Sequence, residues 1–98
     1  MSNYLYPATV ESNNEGGFIA KFRDVPEAIT EAWDLEELKN NARDALISAI
    51  DFYIEDRKAF PVGSTVKSGE IAIELPASVV AKVLLLNTMV QANVRPID

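Results

Sequence analysis

The chain contains no cysteine and no histidine. Without Cys there is no disulfide, no thiolate nucleophile and no cysteine-based zinc site. Without His there is no Ser-His-Asp triad, no imidazole general base and no histidine metal centre. Most enzyme mechanisms thereby lose their usual proton carrier. Basic residues are scarce: nine Lys and Arg stand against fifteen Asp and Glu, for a net charge of −6. A surface built to grip nucleic acid concentrates cations, because phosphate binding is a counterion-releasing process. Long apolar runs are missing too. The longest, Val79 to Leu86, is interrupted by Lys82 and falls short of the ~20 residues that span a bilayer. The N-terminus Met1-Ser2-Asn3-Tyr4 lacks the basic patch and apolar run of a signal peptide. Together these absences point to a cytoplasmic protein, with no membrane role, whose partner is basic.

What remains is an ordinary globular composition. Of 98 residues, 48% are apolar and 24% charged, enough for one compact domain with one real core. Tyr4, Tyr6, Ala8 and Val10 alternate with Leu5, Pro7 and Thr9, the period of a strand. Asn13-Asn14-Glu15-Gly16-Gly17 supplies a hairpin loop tolerant of positive φ. Phe18, Ala20 and Phe22 then alternate with Ile19, Lys21 and Arg23, which puts the Phe face inward and the two cations in water. Asp24-Val25-Pro26-Glu27 is a second turn, and Ala28 to Trp33 a third strand.

At Asp34 the period changes. Asp34 with Glu37 three positions on forms a capping-box variant, and acid in the first turn suits the helix dipole. Leu35, Leu38, Ala42, Leu46, Ala49 and Tyr53 recur at spacings of three and four. Ala45, Ile47, Ile50 and Phe52 widen that stripe, and the helix ends near Asp56. A loop covers residues 61–69, a fourth strand Glu70 to Leu75, and a second helix runs from Ala77 or Ser78 to about Asn93. This helix is apolar nearly all round, so it calls for cover on more than one face. Arg95-Pro96-Ile97-Asp98 resembles the opening of a further helix with Pro96 in its first turn, as though a longer protein were cut short.

The predicted order is strand, strand, strand, helix, strand, helix: an α+β fold of β-β-β-α-β type followed by a C-terminal helix. The first five elements match the first part of a ribonuclease H topology. A two-magnesium nuclease on that scaffold would draw on Asp24, Glu27, Glu31 and Asp34. These sit in a turn, a turn, a strand and a cap, and the first strand carries no carboxylate from Tyr4 to Val10. A double-stranded-RNA module is excluded for the front half, since the helix opens on Asp34-Leu35-Glu36-Glu37. Glu70 to Asn93 permits a ribbon-helix-helix DNA reader, but the ribbon offers none of the Arg, Lys, Asn or Gln that read base edges. Tyr4, Tyr6, Phe18, Phe22 and Trp33 read as core and cross-strand pairs rather than a stacking platform.

The ordered set Tyr6-Pro7-Ala8, Gly17-Phe18, Phe22-Arg23-Asp24-Val25-Pro26-Glu27-Ala28-Ile29-Thr30, the helix capped at Asp34, Leu75-Pro76-Ala77-Ser78 and Lys82-Val83-Leu84-Leu85-Leu86-Asn87 resembles the HicB antitoxin family, over essentially the whole chain. The resemblance implies an incomplete ribonuclease H-like fold without nuclease activity, in a type II toxin–antitoxin pair. The implied partner is a HicA-type toxin, a small basic ribonuclease that cleaves messenger RNA. It also implies a C-terminal DNA-binding region, often helix-turn-helix, through which the full-length protein binds operator DNA as an autorepressor.

On this reading, residues 1–75 form a toxin-neutralising domain and residues 76–98 begin the DNA-binding region. There are no catalytic, cofactor or metal residues. The toxin-binding candidates are Asp24, Glu27, Glu31, Asp34 and Glu37, an acidic rim that mimics phosphate for a basic surface, with Trp33 as an apolar anchor. The candidates for self-association, as a dimer or tetramer, are Val79, Val83, Leu84, Leu86, Met89 and Val90.

Overall fold

Alternation in the first strand, β1 (Leu5–Ser12), sends Tyr6, Ala8 and Val10 to one face of the sheet. A computed structural model describes residues 4–94, and Arg95–Asp98, where the sequence suggests a further helix, lies outside them. The other elements are β2 (Phe18–Phe22), β3 (Ile29–Ala32), α1 (Leu35–Asp56), β4 (Glu70–Glu74) and α2 (Ala77–Val94). This is the expected α+β fold, with the expected element order. The sheet order is β3-β2-β1-β4, antiparallel at every pairing. Every inward-pointing set meets one core of Tyr6, Ala8, Ala20, Phe22, Ile73 and Leu75, closed by Leu38, Ala42, Leu46, Ile50 and Tyr53 of α1.

Pro7 in a central strand is an apparent conflict, because proline removes a ladder donor. The register resolves it. Ala8 opposite Phe22 is the last β1–β2 pair, and Pro7 stands opposite Ala72 of β4. Leu75 N donates to Tyr4 O at 3.0 Å, so the bonded β1–β4 pairs fall at Tyr4, Tyr6 and Ala8. Pro7 therefore turns its missing donor toward a point where β2 has already ended.

Asp34 caps α1 as its spacing predicts: Glu37 N donates to Asp34 Oδ1 at 2.8 Å. The return bond is shifted by one residue, since Glu37 Oε1 accepts from Trp33 N at 3.2 Å. The helix closes on Arg57 in the left-handed region (φ 56°), with Arg57 N donating to Ile54 O and Lys58 N to Tyr53 O.

Several sequence expectations need adjusting, and the first is Trp33, grouped with the core aromatics but 64% exposed. Leu35 is half exposed, because the whole first turn, residues 34–37, lies outside the packed interface. Phe52 is 60% exposed; at 100° per residue it lies about a quarter turn from the centre of the buried stripe. Arg23 faces water as expected, but it is also paired: its Nε and one terminal nitrogen hold both Glu70 oxygens at 2.9 and 3.1 Å, and that nitrogen also donates to Thr65 O at 2.6 Å.

The apolar α2 is sided. Val83 and Leu86 are buried, and Asn87 holds Phe60 by both backbone groups, accepting from its N–H at 2.7 Å and donating to its carbonyl at 3.0 Å. Phe60 stands edge-to-face on Tyr6 and Tyr53 at 5.8 and 5.0 Å. The loop between α1 and β4 thus forms part of the seat of α2, with α1 as the rest. It lies tight against β1: a Cβ on Gly63 would run into the Leu5 carbonyl.

Candidate partner-binding site

The β1–β2 hairpin and the β3–α1 junction meet at one end of the sheet. Asn13 shapes the hairpin, its Oδ1 accepting from Glu15 N at 2.9 Å and Gly17 N at 2.8 Å. Gly16 takes a positive φ of 94°. Gly17 lets the hairpin lie flat against β3, since a Cβ there would come within 2.7 Å of Ala32 O and 3.3 Å of the Trp33 ring. The result is a cleft of about 180 Å³ lined by Asn13, Glu15, Glu31, Ala32, Trp33 and Glu37. Asn41 Nδ2 donates to Glu31 O at 3.2 Å and ties β3 to α1. Trp33 is 64% exposed, close in sequence to the half-exposed Leu35. An indole face flanked by three carboxylates is suited to a cationic side chain with an apolar stem, by ion pairing and cation–π contact.

Of the sequence-derived contact residues, the structure therefore brings together Glu31, Trp33 and Glu37, with Asp34 beside them spent on the helix cap. It sets Asp24 and Glu27 apart, at the far end of the sheet. Asp24 accepts from Ser64 N at 2.8 Å and Ser64 Oγ at 2.6 Å. Glu27 accepts from the Tyr53 hydroxyl at 2.9 Å and faces Lys58 at 4.0 Å. A backbone N–H bond first, then the Tyr53 bond, holds the Glu27 carboxyl below its ordinary value. The Tyr53 phenol is pushed up to about 12, by burial first and then by the carboxylate. These two acids stitch the β2–β3 turn to the loop and to α1. Glu15 is the residue that sequence reasoning passed over: it reads as a loop residue, and only the folded-back hairpin delivers it to the cleft. Among the described residues no three carboxylates are grouped to hold a metal ion.

A second feature lies on α2. Val83 and Leu86 are taken up by the core, and Val79 and Val90 are half-buried, which leaves Leu84, Leu85 and Met89 at 51, 62 and 54% exposure. Leu85 and Met89 line an apolar groove of about 350 Å³ with Ile54 of α1. No helix among the described residues is long and apolar enough to cross a membrane.

Comparison with known proteins identifies the family. The family described as "HicB_like antitoxin of bacterial toxin-antitoxin system" matches residues 5–84. Antitoxin HicB of Escherichia coli (strain K12) is 43% identical over 89 residues, 91% of this chain and 64% of that protein. Antitoxin HicB 2 of Photorhabdus laumondii is 49% identical over 91 residues, covering 93% and 63%. Antitoxin HicB of Pseudomonas fluorescens is 29% identical over 92 residues, covering 92% and 63%. The chain thus spans a little under two thirds of the length of these curated relatives, and it belongs to the HicB-like antitoxin family.

Proposed function

We propose that this HicB-family chain acts by occlusion, binding a HicA-type ribonuclease toxin and covering the basic surface on which the toxin takes messenger RNA. The observation that carries the reading is the convergence of Glu15, Glu31 and Glu37 around the exposed Trp33. Carboxylates placed this way compete electrostatically with phosphate and speed encounter, while a projecting indole is the kind of anchor that dominates interface energy. Such a role needs no catalytic group, and the chain has neither His nor Cys.

The domain division follows the same reading. Residues 1–75 face the toxin; residues 76–98 begin the region through which the full-length protein binds operator DNA and represses its own operon. Self-association, as a dimer or tetramer in the cytoplasm, runs through α2, with Leu84, Leu85 and Met89 as its exposed part.

The test is binding and rescue. Co-expression with a HicA-type toxin should restore growth, and the purified pair should form a complex that weakens with salt. Glu31→Lys should slow association at low salt, and Trp33→Ala should speed dissociation. Failure of the wild-type pair to associate at micromolar concentration and low salt refutes the reading. Turnover of RNA by this chain alone, with magnesium, would refute it equally.

A further inference from the structure

The free edge of β4 is a separate feature. It lies beyond β1 at the end of the sheet. Because Tyr4, Tyr6 and Ala8 pair with Leu75, Ile73 and Ile71 through hydrogen bonds, the N–H and C=O groups of Ala72 and Glu74 point away from β1. Both residues are exposed. Alongside this edge runs an open groove of about 520 Å³, bounded by β4, by Lys39 and Arg43 of α1, and by the start of α2 at Ala77. Neither Lys39 nor Arg43 has a carboxylate within ion-pair reach among the described residues, and Arg43 makes only a 3.3 Å bond to Asn40. The first turn of α2 carries no acidic side chain to answer its dipole.

We propose that this groove receives an extended acidic peptide segment, which adds to β4 as a fifth strand and sets alternate carboxylates against Lys39 and Arg43. Ala72 and Glu74 supply the backbone pairing that strand addition requires. The spacing agrees: positions i and i+4 of a helix lie about 6 Å apart, and alternate residues of a strand about 6.6 Å apart. The side chains of the added strand that point to the core side face α1, which is where the two cations stand. A second copy of this chain fits less well. Antiparallel self-pairing centred on Ala72 brings Ile71 and Ile73, not carboxylates, to the α1 side, and so leaves Lys39 and Arg43 without a counter-charge. The site goes beyond toxin occlusion and is independent of it, since a basic toxin is the wrong charge for Lys39 and Arg43.

A terminally blocked nonapeptide alternating Val and Asp is the probe, with a Val and Lys peptide as its control. Titration calorimetry should give at least tenfold tighter binding of the Asp peptide to the chain, and amide exchange should show new protection at Ala72 and Glu74. Ala72→Pro removes an outward donor without touching the β1–β4 bonds, so it should abolish binding and leave the melting temperature near that of the parent. Should that variant not fold, the Lys39→Glu/Arg43→Glu double variant carries the test by inverting the peptide preference. Equal binding of the two peptides, no binding of either, or protection confined to other strands overturns the proposal. Protection of Ala72 and Glu74 that rises with protein concentration in the absence of peptide also overturns it, and assigns the edge to a second copy.

Discussion

Asn87 reaches back 27 positions to satisfy both backbone groups of Phe60, one at 2.7 Å and one at 3.0 Å. A helix side chain thus plays the part of a neighbouring strand for a loop residue that has none. Replacing Asn87 by Leu keeps the size and removes both partners. Leaving part-buried backbone groups unpaired costs ~1–3 kcal/mol, so Asn87→Leu should lose stability of that order, read as a lower urea midpoint. Asn87→Asp, which keeps the acceptor, should recover part of it. A midpoint unchanged in Asn87→Leu would mean that α2 does not depend on this clamp.

Acid should loosen the molecule through Glu70. The Arg23 guanidinium, and then the Lys67 backbone N–H, hold its carboxyl down from the ordinary 4.5 to about 2. A carboxyl more acidic in the folded than in the unfolded chain stabilises the fold above the unfolded value. That contribution is present above pH 4.5 and is lost as pH falls through about 2. Glu27, also held down, adds to the same limb. At the alkaline end Tyr53 works in the opposite sense: its phenol, raised from 10.0 to about 12, gives stability that is lost as pH rises across that interval. Denaturant midpoints measured across the acid range should flatten in Glu70→Gln, and an unaltered acid limb would rule out the Arg23 pair as its source.

The two ends of α1 respond in opposite directions. Asp34→Ala removes the side-chain acceptor of Glu37 N and should cost about 1 kcal/mol, while Asp34→Ser should cost little. Arg57 occupies a left-handed conformation at φ 56°, which a side chain takes at a penalty of roughly 1–2 kcal/mol and glycine does not. Arg57→Gly should therefore raise the melting temperature, a gain readable by calorimetry in a single scan.

Two neighbouring leucines of α2 should separate folding from association. Leu86 is 5% exposed and Leu85 62%. Leu86→Ala opens a hole in the core and should cost about 2–5 kcal/mol. Leu85→Asp should leave monomer stability within about 0.5 kcal/mol and shift the light-scattering mass toward the monomer. If the mass of the wild-type chain already equals that of one copy at high concentration, the proposed self-association through α2 fails.

The element order, the strand faces, the hairpin at Asn13, the cap at Asp34 and the helix end near Asp56 could all be read from the chain itself. Each is set by neighbours within a few positions: period-two alternation, a three-residue capping spacing, and glycine where φ must be positive. The acidic composition and the family resemblance were legible in the same way. The candidate site was legible only in part. Six candidate contact residues, Asp24 to Glu37, look like one rim along the chain, yet β3 takes up four residues of that stretch, about 13 Å at the rise of a strand. That length carries Asp24 and Glu27 to one end of the sheet, where they bond to Ser64 and Tyr53, and leaves Glu31, Trp33 and Glu37 at the other. Local pattern decides which way a side chain faces, because sterics and hydrogen bonding act over one or two turns. Which distant segment it meets is decided only when the chain closes, and so the shared cleft of Glu15 and Trp33 and the bonds of Arg23 to Glu70 and Asn87 to Phe60 belong to the tertiary structure alone.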